Sequence, residues 1–108
     1  MYTYKAIVVR IIDGDTLDAD VDLGFHMKTR QRFRLARIDT PERGEPGFTE
    51  ATDRVKQLCP VGSEITISTS KTGGFGRWLA EVEYSSGDQA GNLSSLLLLE
   101  GLAEIYKR

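Results

Sequence analysis

Two neighbouring segments in which charged and uncharged residues alternate constrain this fold most strongly. In the first segment every second residue is an aspartate, at Asp18, Asp20 and Asp22. In the second segment every second residue is basic, at Lys28, Arg30, Arg32 and Arg34. A period of two residues is typical of a half-buried β-strand, with one polar face and one apolar face. The sequence therefore predicts two strands, at residues 17–23 and 28–38.

The charges of these two strands predict how they pair. An antiparallel hairpin with a loop at Leu23–Met27 creates three pairs of opposite charge: Asp22–Lys28, Asp20–Arg30 and Asp18–Arg32. Each such cross-strand pair contributes roughly 0.2–1 kcal/mol. We interpret the charges primarily as a solvated ladder that sets the register. Residues 28–37 also hold five basic residues and no acidic one, which indicates a local basic surface.

The rest of the chain contains further strand and helix signals. β-branched residues and turn signals predict strands at 6–12, 64–70 and 78–84, and an extended tail at 102–108. Apolar residues at helical spacing predict a helix that ends before Pro60: Phe48, Ala51, Val55 and Leu58. Asn92 is a typical N-cap for a second helix over 93–100, with Gly101 as its end.

Five short strands with a helix after the third are typical of a small Greek-key barrel of the OB type. A five-stranded α+β sandwich fits the periodicity nearly as well. We therefore predict a single domain over residues 1–108, mainly β with short helices (α+β), and favour a five-stranded OB-fold barrel.

Composition excludes several classes of site. A single cysteine, Cys59, excludes an intramolecular disulfide, and a single histidine, His26, excludes a His-rich metal site. No run approaches the ~18 apolar residues that a membrane-spanning helix needs, so we expect no membrane association. Residues 1–5 lack the features of a signal peptide, which predicts either a cytoplasmic protein or a mature, trimmed one.

Three clusters can carry chemistry: Asp13–Thr16, Arg34–Glu42 and Gly76–Arg77. Carboxylates with a backbone carbonyl suit Ca²⁺, which prefers oxygen ligands. Two arginines suit a phosphate and its transition state, and a further carboxylate can orient or deprotonate a water. Together they match phosphodiester hydrolysis with one metal ion. The alternative is that these acidic residues only form turns and cap loops.

Four segments together resemble the staphylococcal (micrococcal) nuclease family in order and approximate spacing: residues 11–16, 33–42, 75–82 and 92–103. The resemblance covers nearly the whole chain. It implies a five-stranded OB barrel and Ca²⁺-dependent hydrolysis of DNA and RNA, with the 5′ oxygen as the leaving group.

The resemblance also implies residue roles. Asp15 and Asp39 correspond to metal-binding carboxylates, and Thr40 contributes its backbone carbonyl as a third ligand. Arg34 and Arg77 correspond to the phosphate-binding arginines. Glu42 corresponds to the glutamate that positions or deprotonates the attacking water.

Three further residues are candidate substrate contacts: Lys71, Phe75 and Trp78. The family prototype has a tyrosine where Phe75 stands, so one phosphate donor is missing. Phe75 can instead pack into the barrel, and Trp78 can either stack on a base or cover the core.

The sequence leaves two functions open. The first is a nuclease acting on DNA, RNA or both, which we expect to be a monomer. The second is a catalytically weak or inactive OB-fold module that binds single-stranded nucleic acid or a protein partner. The joint presence of the candidate catalytic and metal-binding residues favours the nuclease.

Overall fold

Strands dominate the computed structural model, which describes residues 2–72 and 77–106; the side chains of residues 70–72 and 77 also lie outside this description. The strands are β1 (Tyr2–Asp13), β2 (Thr16–Gly24), β3 (Met27–Leu35), β4 (Ile38–Asp39), β5 (Glu64–Thr72), β6 (Arg77–Ser86), β7 (Gln89–Asn92) and β8 (Glu104–Ile105). The helices are α1 (Phe48–Leu58) and α2 (Leu93–Leu99). The predicted fold class, mainly β with short helices, is confirmed.

Five of these strands form a closed ring. The main sheet has the order β3-β2-β1-β5-β6-β7, and β3 also pairs with β6 in parallel. This last pairing joins β1, β2, β3, β5 and β6 into a barrel-like ring that is consistent with the predicted OB type. The five predicted strands are the members of this ring.

The predicted register of the β2–β3 hairpin is confirmed. Asp18 pairs with Arg32, Asp20 with Arg30, and Asp22 with Lys28. The guanidinium of Arg30 donates two hydrogen bonds to Asp20 at 2.8 and 3.1 Å, and Arg32 binds Asp18 with the same two distances. The charge pattern therefore forms the expected ladder. The loop is shorter than predicted, because β2 continues to Gly24 and β3 starts at Met27.

The predicted end of the third strand is wrong. β3 stops at Leu35, and a turn separates it from β4, which begins at Ile38. Arg37 in this turn has a φ of 73°, a left-handed conformation that an extended strand does not accommodate. The chain therefore reverses between Arg34 and Asp39 and brings the two side chains together.

Polar contacts hold this turn in place. The Arg37 guanidinium donates to both carboxylate oxygens of Glu81 on β6, at 2.7 and 3.0 Å. It also donates to Asn92 at 3.1 Å, and Asn92 accepts from the backbone N–H of Ser95, as its predicted role as the cap of α2 requires. The turn is thus attached to β6 and to the start of α2.

The apolar core lies inside the ring and under both helices. The barrel contributes Val8, Leu17, Phe33, Ile67 and Val82, among others. Helix α1 buries the predicted positions Ala51, Val55 and Leu58, whereas Phe48 is only partly buried.

Burial raises the pKa of Cys59 to about 12, so this residue remains an unreactive thiol at neutral pH. None of the helices in the described residues is long and apolar enough to cross a membrane.

The segment after α2 returns to the barrel. Gly101 has a φ of 75° and follows the helix, as predicted. Strand β8 then pairs with β4, with Ile105 opposite Ile38 and Glu104 opposite Asp39. Within the predicted extended tail, Glu104–Ile105 form a strand, which lies beside the acidic residue Asp39.

The Arg37–Glu81 ion pair gives a pH-dependent prediction. The hydrogen bond from Arg37 is the main cause that lowers the pKa of Glu81 below its ordinary value of 4.5. Its stabilisation is therefore present above pH 4.5 and is lost as the pH falls through the lowered pKa. We expect Glu81→Gln to reduce the free energy of unfolding at pH 7 by about 1 kcal/mol or less, because both partners are partly exposed.

Urea unfolding at pH 7 and pH 3 tests this expectation. The difference between Glu81→Gln and wild type should be smaller at pH 3 than at pH 7, because protonation of Glu81 at low pH removes the charge that Arg37 pairs with. Glu64→Gln, at an exposed position of β5, is the control and should change little at either pH. An equal loss at both pH values would contradict the ion-pair explanation.

Candidate active site

Residues from four parts of the chain meet at an open cleft with a volume of about 1000 Å³. Asp15 lies in the turn between β1 and β2, Arg34 lies near the end of β3, and Asp39 ends β4. Thr40 and Glu42 follow β4 and also line the cleft. The structure thus brings together five of the predicted site residues.

Asp15 is the most buried carboxylate of this group, with 12% of its side chain exposed. Its Oδ1 accepts a hydrogen bond from the Thr16 hydroxyl at 3.1 Å, and its Oδ2 accepts one from the Thr40 backbone N–H at 3.1 Å. Its own backbone carbonyl accepts from Leu35 N–H at 2.8 Å. A buried carboxylate needs such donors, and they attach the loop after β4 to the barrel.

Arg34 connects the two aspartates. Its Nη2 donates to Asp39 Oδ1 and lies 3.5 Å from Asp15 Oδ2. Its Nη1 donates to the backbone carbonyls of Leu35 and Ile38, each at 3.1 Å. The side chain is only 13% exposed. Both carboxylates therefore reach one cationic nitrogen.

Tyr106 was not a predicted site residue, yet it lies against Arg34. Its ring centroid is 5.1 Å from the Arg34 guanidinium carbon, within the range of a cation–π contact. No local motif identifies this residue, because the contact depends on the pairing of β8 with β4.

Glu45 is a second residue that the sequence reasoning missed. Its carboxylate accepts from the backbone N–H of Glu42 at 2.6 Å, and its own N–H donates to the Glu42 carbonyl at 2.9 Å. The three-residue spacing of the two glutamates is a usable signal for this reciprocal turn. It holds the backbone that carries Glu42.

The cleft is strongly acidic. Among the described residues that line it, six are acidic and Arg34 alone is basic: Asp13, Asp15, Asp39, Glu42, Glu45 and Glu104. Burial, reinforced by the neighbouring Asp15, raises the pKa of Asp13 above its ordinary value. A cleft of this charge repels a polyanion unless cations enter with it.

The basic surface expected from residues 28–37 is largely neutralised. Four of its five basic residues form ion pairs with acidic side chains: Arg30, Arg32, Arg34 and Arg37. The ladder interpretation is confirmed for Arg30 and Arg32. The local basic surface indicated by the sequence is largely balanced by acidic partners, and those of Arg34 and Arg37 lie on β4 and β6, outside the predicted hairpin.

The structure describes the remaining predicted site residues less completely. Arg77 begins β6 beside Arg32 and Lys71 lies in β5, but their side chains are outside the described part of the structure. Phe75 is also outside the described residues. Trp78 is 38% exposed and donates from Nε1 to Gln31 at 3.3 Å. It does not belong to the described lining of the cleft.

The carboxylate and carbonyl oxygens that line the cleft are of the kind that a hard cation binds. The described residues contain no group of three or more His, Cys, Asp or Glu side chains arranged to hold a metal. Ca²⁺, however, also accepts backbone carbonyls and waters. Asp15 and Asp39 both contact Nη2 of Arg34, so the two carboxylates lie on the same side of the cleft as one positive charge.

Gly14 yields a prediction about the architecture of the site. A Cβ at this position would lie 2.8–2.9 Å from the side-chain atoms of Thr40. We expect Gly14→Ala to displace Thr40 and to cost about 1–3 kcal/mol of stability, as overpacking does. Gly91→Ala is the matched control, because its nearest neighbour would lie at an ordinary 3.6 Å. Thermal unfolding of both variants measures the difference, and equal melting temperatures would refute the close packing of Gly14 on Thr40.

Comparisons with known proteins identify the family of this chain. The chain is 32% identical over 109 residues to "Micrococcal nuclease" from Shigella flexneri, which covers 96% of this chain and 59% of the relative. It is 30% identical over 103 residues to "Uncharacterized endonuclease" from Escherichia coli O157:H7, which covers 94% of this chain and 60% of the relative. The chain thus spans about three fifths of the length of these relatives. Residues 32–108 match the family described as "Staphylococcal nuclease homologue", and the chain belongs to that family.

Proposed function

We propose that this protein is a Ca²⁺-dependent nuclease that hydrolyses phosphodiester bonds of DNA, RNA or both. The observation that carries the proposal is the convergence of Asp15 and Asp39 on one cationic nitrogen of Arg34, inside an acidic cleft. Carboxylates that share a cation and an arginine beside them suit a phosphate group that arrives with a metal ion. The relatives named as nucleases support the same activity.

The residues that would hold Ca²⁺ are Asp15, Asp39 and the backbone carbonyl of Thr40. When bound, the ion would supply positive charge to the scissile phosphate and to the attacking water. The contacts of Asp15 with Thr16 and Thr40 keep its carboxylate oriented before any ligand enters.

Arg34 binds the phosphate in this proposal. Its Nη1 remains on the two backbone carbonyls, while Nη2 exchanges a carboxylate for a phosphate oxygen. A guanidinium aimed at the charge that develops in the transition state lowers the barrier more than it strengthens substrate binding. Arg77 is proposed as the second arginine on the same phosphate.

Glu42 positions or deprotonates the water that attacks phosphorus. A carboxylate is suited to this role only if it faces the reacting atoms, and Glu42 lines the cleft together with Asp15 and Arg34. The turn that it forms with Glu45 limits the movement of its backbone. Attack in line with the 5′ oxygen expels that oxygen as the leaving group.

Neutralising the two aspartates tests the proposal. We expect Asp15→Asn and Asp39→Asn to reduce plasmid cleavage in Ca²⁺ by at least about 100-fold and to weaken Ca²⁺ binding, since each removes a charged ligand. Cleavage assays with Ca²⁺ or a chelator, together with calorimetric titration of Ca²⁺, give the two measurements. Asp20→Asn removes an aspartate of the hairpin ladder and should preserve both properties.

The same cleavage assay, together with a measurement of DNA binding, distinguishes a nuclease from a module that only binds nucleic acid. Wild-type protein that binds single-stranded DNA but does not cleave it in Ca²⁺ would contradict the proposed activity and favour the module. Undiminished Ca²⁺ affinity in both variants would remove Asp15 and Asp39 from the metal site.

A substitution at Thr40 tests whether its backbone carbonyl or its side-chain hydroxyl would bind Ca²⁺. Its Oγ1 is buried and has no hydrogen-bond partner in the described structure. We expect Thr40→Val to keep Ca²⁺ affinity and to leave the stability unchanged or raised, because it replaces an unsatisfied hydroxyl by a methyl group of similar size. Calorimetric titration and thermal unfolding measure the two effects. A marked loss of affinity would assign the hydroxyl, rather than the carbonyl, to the metal.

A further inference from the structure

The Arg34 guanidinium carbon lies over the aromatic ring of Tyr106, at 5.1 Å from the ring centroid. Backbone contacts hold the tyrosine there. Its N–H donates to the Arg37 carbonyl at 2.8 Å, and the two preceding residues pair with Ile38 and Asp39 in the β4–β8 sheet. The strand that presents Tyr106 is therefore attached to the strand that carries Asp39.

The ring completes a set of contacts that surrounds Arg34. The carbonyls of Leu35 and Ile38 bind Nη1, the two aspartates bind Nη2, and the guanidinium carbon lies over the Tyr106 ring. This explains why the Arg34 side chain is only 13% exposed although it lines an open cleft. A guanidinium whose Nη1 and Nη2 are both hydrogen-bonded, and whose carbon packs against a ring, has little freedom to rotate about its Nε–Cζ bond.

We propose that Tyr106 is a positioning residue for Arg34. Its ring holds the guanidinium plane so that Nη2 remains directed to the place where the substrate phosphate binds. This inference rests on the proposed nuclease function for its catalytic consequence. The orientation of Arg34 itself can be measured without catalysis.

The face of the ring, and not the hydroxyl, carries this role. An aromatic face attracts a guanidinium through its quadrupole, and phenylalanine retains that face. Tyr106→Phe should therefore behave like wild type, whereas Tyr106→Leu should not. A cation–π contact at a partly exposed site corresponds to roughly a three- to thirtyfold effect on an equilibrium or a rate.

The experiment compares Tyr106→Leu, Tyr106→Phe and wild type by two measurements. The first is the rate of rotation about the Nε–Cζ bond of Arg34, measured by ¹⁵N NMR. This rate should be at least threefold higher in Tyr106→Leu than in wild type, and it should be unchanged in Tyr106→Phe. The second is cleavage of single-stranded DNA in Ca²⁺, where Tyr106→Leu should lower kcat by three- to thirtyfold and change KM less. Ile105→Ala, an exposed neighbour in β8 outside the described cleft lining, is the control for general disturbance of that strand.

A second background shows whether Tyr106 acts through Arg34. In Arg34→Lys protein, which lacks the planar guanidinium, the effect of Tyr106→Leu on kcat should disappear. An equal loss in that background, or an equal loss in Tyr106→Phe, would overturn the proposal. Unchanged rotation of Arg34 in Tyr106→Leu would also overturn it. A wild-type protein that does not cleave DNA would refute the nuclease function, and the NMR comparison would still decide the positioning role.

Discussion

The burial of the Asp15 carboxylate is the constraint on which the architecture of the cleft depends. A charged group at this depth is stable only if donors surround it, and its donors come from separate parts of the chain. The hydroxyl belongs to Thr16 at the start of β2, the backbone N–H belongs to Thr40 just after β4, and the guanidinium belongs to Arg34 on β3. Because one carboxylate binds all three, the ring of strands and the loop after β4 are fixed relative to each other. The close packing of Gly14 on Thr40 has the same effect on the backbone.

The distribution of charge bears on how an acidic protein would act on a polyanion, as the proposed function requires. Most of the basic residues on the outer face of β3 are neutralised by partners on neighbouring strands. The cleft itself has an excess of carboxylates among its described lining residues. Attraction of nucleic acid by a broad basic surface is therefore a poor explanation here. Under the proposed function, a cation that enters with the substrate, together with Arg34, would allow phosphate binding with few positive charges.

The sequence predictions were correct where neighbouring residues in the chain determine the structure, and incorrect where contacts between distant segments determine it. The β2–β3 register and the extent of α1 were predicted correctly, because local periodicity and charge complementarity determine both. The end of β3 was predicted incorrectly, because Arg37 keeps a left-handed conformation through its contact with Glu81, 44 residues away. The short strands β4 and β7 were missed, since two to four residues are too few to show a periodic pattern, and β8 was predicted only as part of an extended tail.

The sequence by itself determined the strand-rich fold class, the hairpin ladder and the identities of the acidic and basic residues suited to phosphodiester chemistry. These properties depend on residue type and on spacing within a single element. Only the tertiary structure decided that Arg34 and Arg37 are neutralised as well, that Asp15 and Asp39 share Arg34, and that Arg34 lies over the Tyr106 ring. The physical reason is that ion pairs and cation–π contacts require groups within a few ångströms, and the parallel β3–β6 pairing and the β4–β8 pairing bring distant segments to that separation.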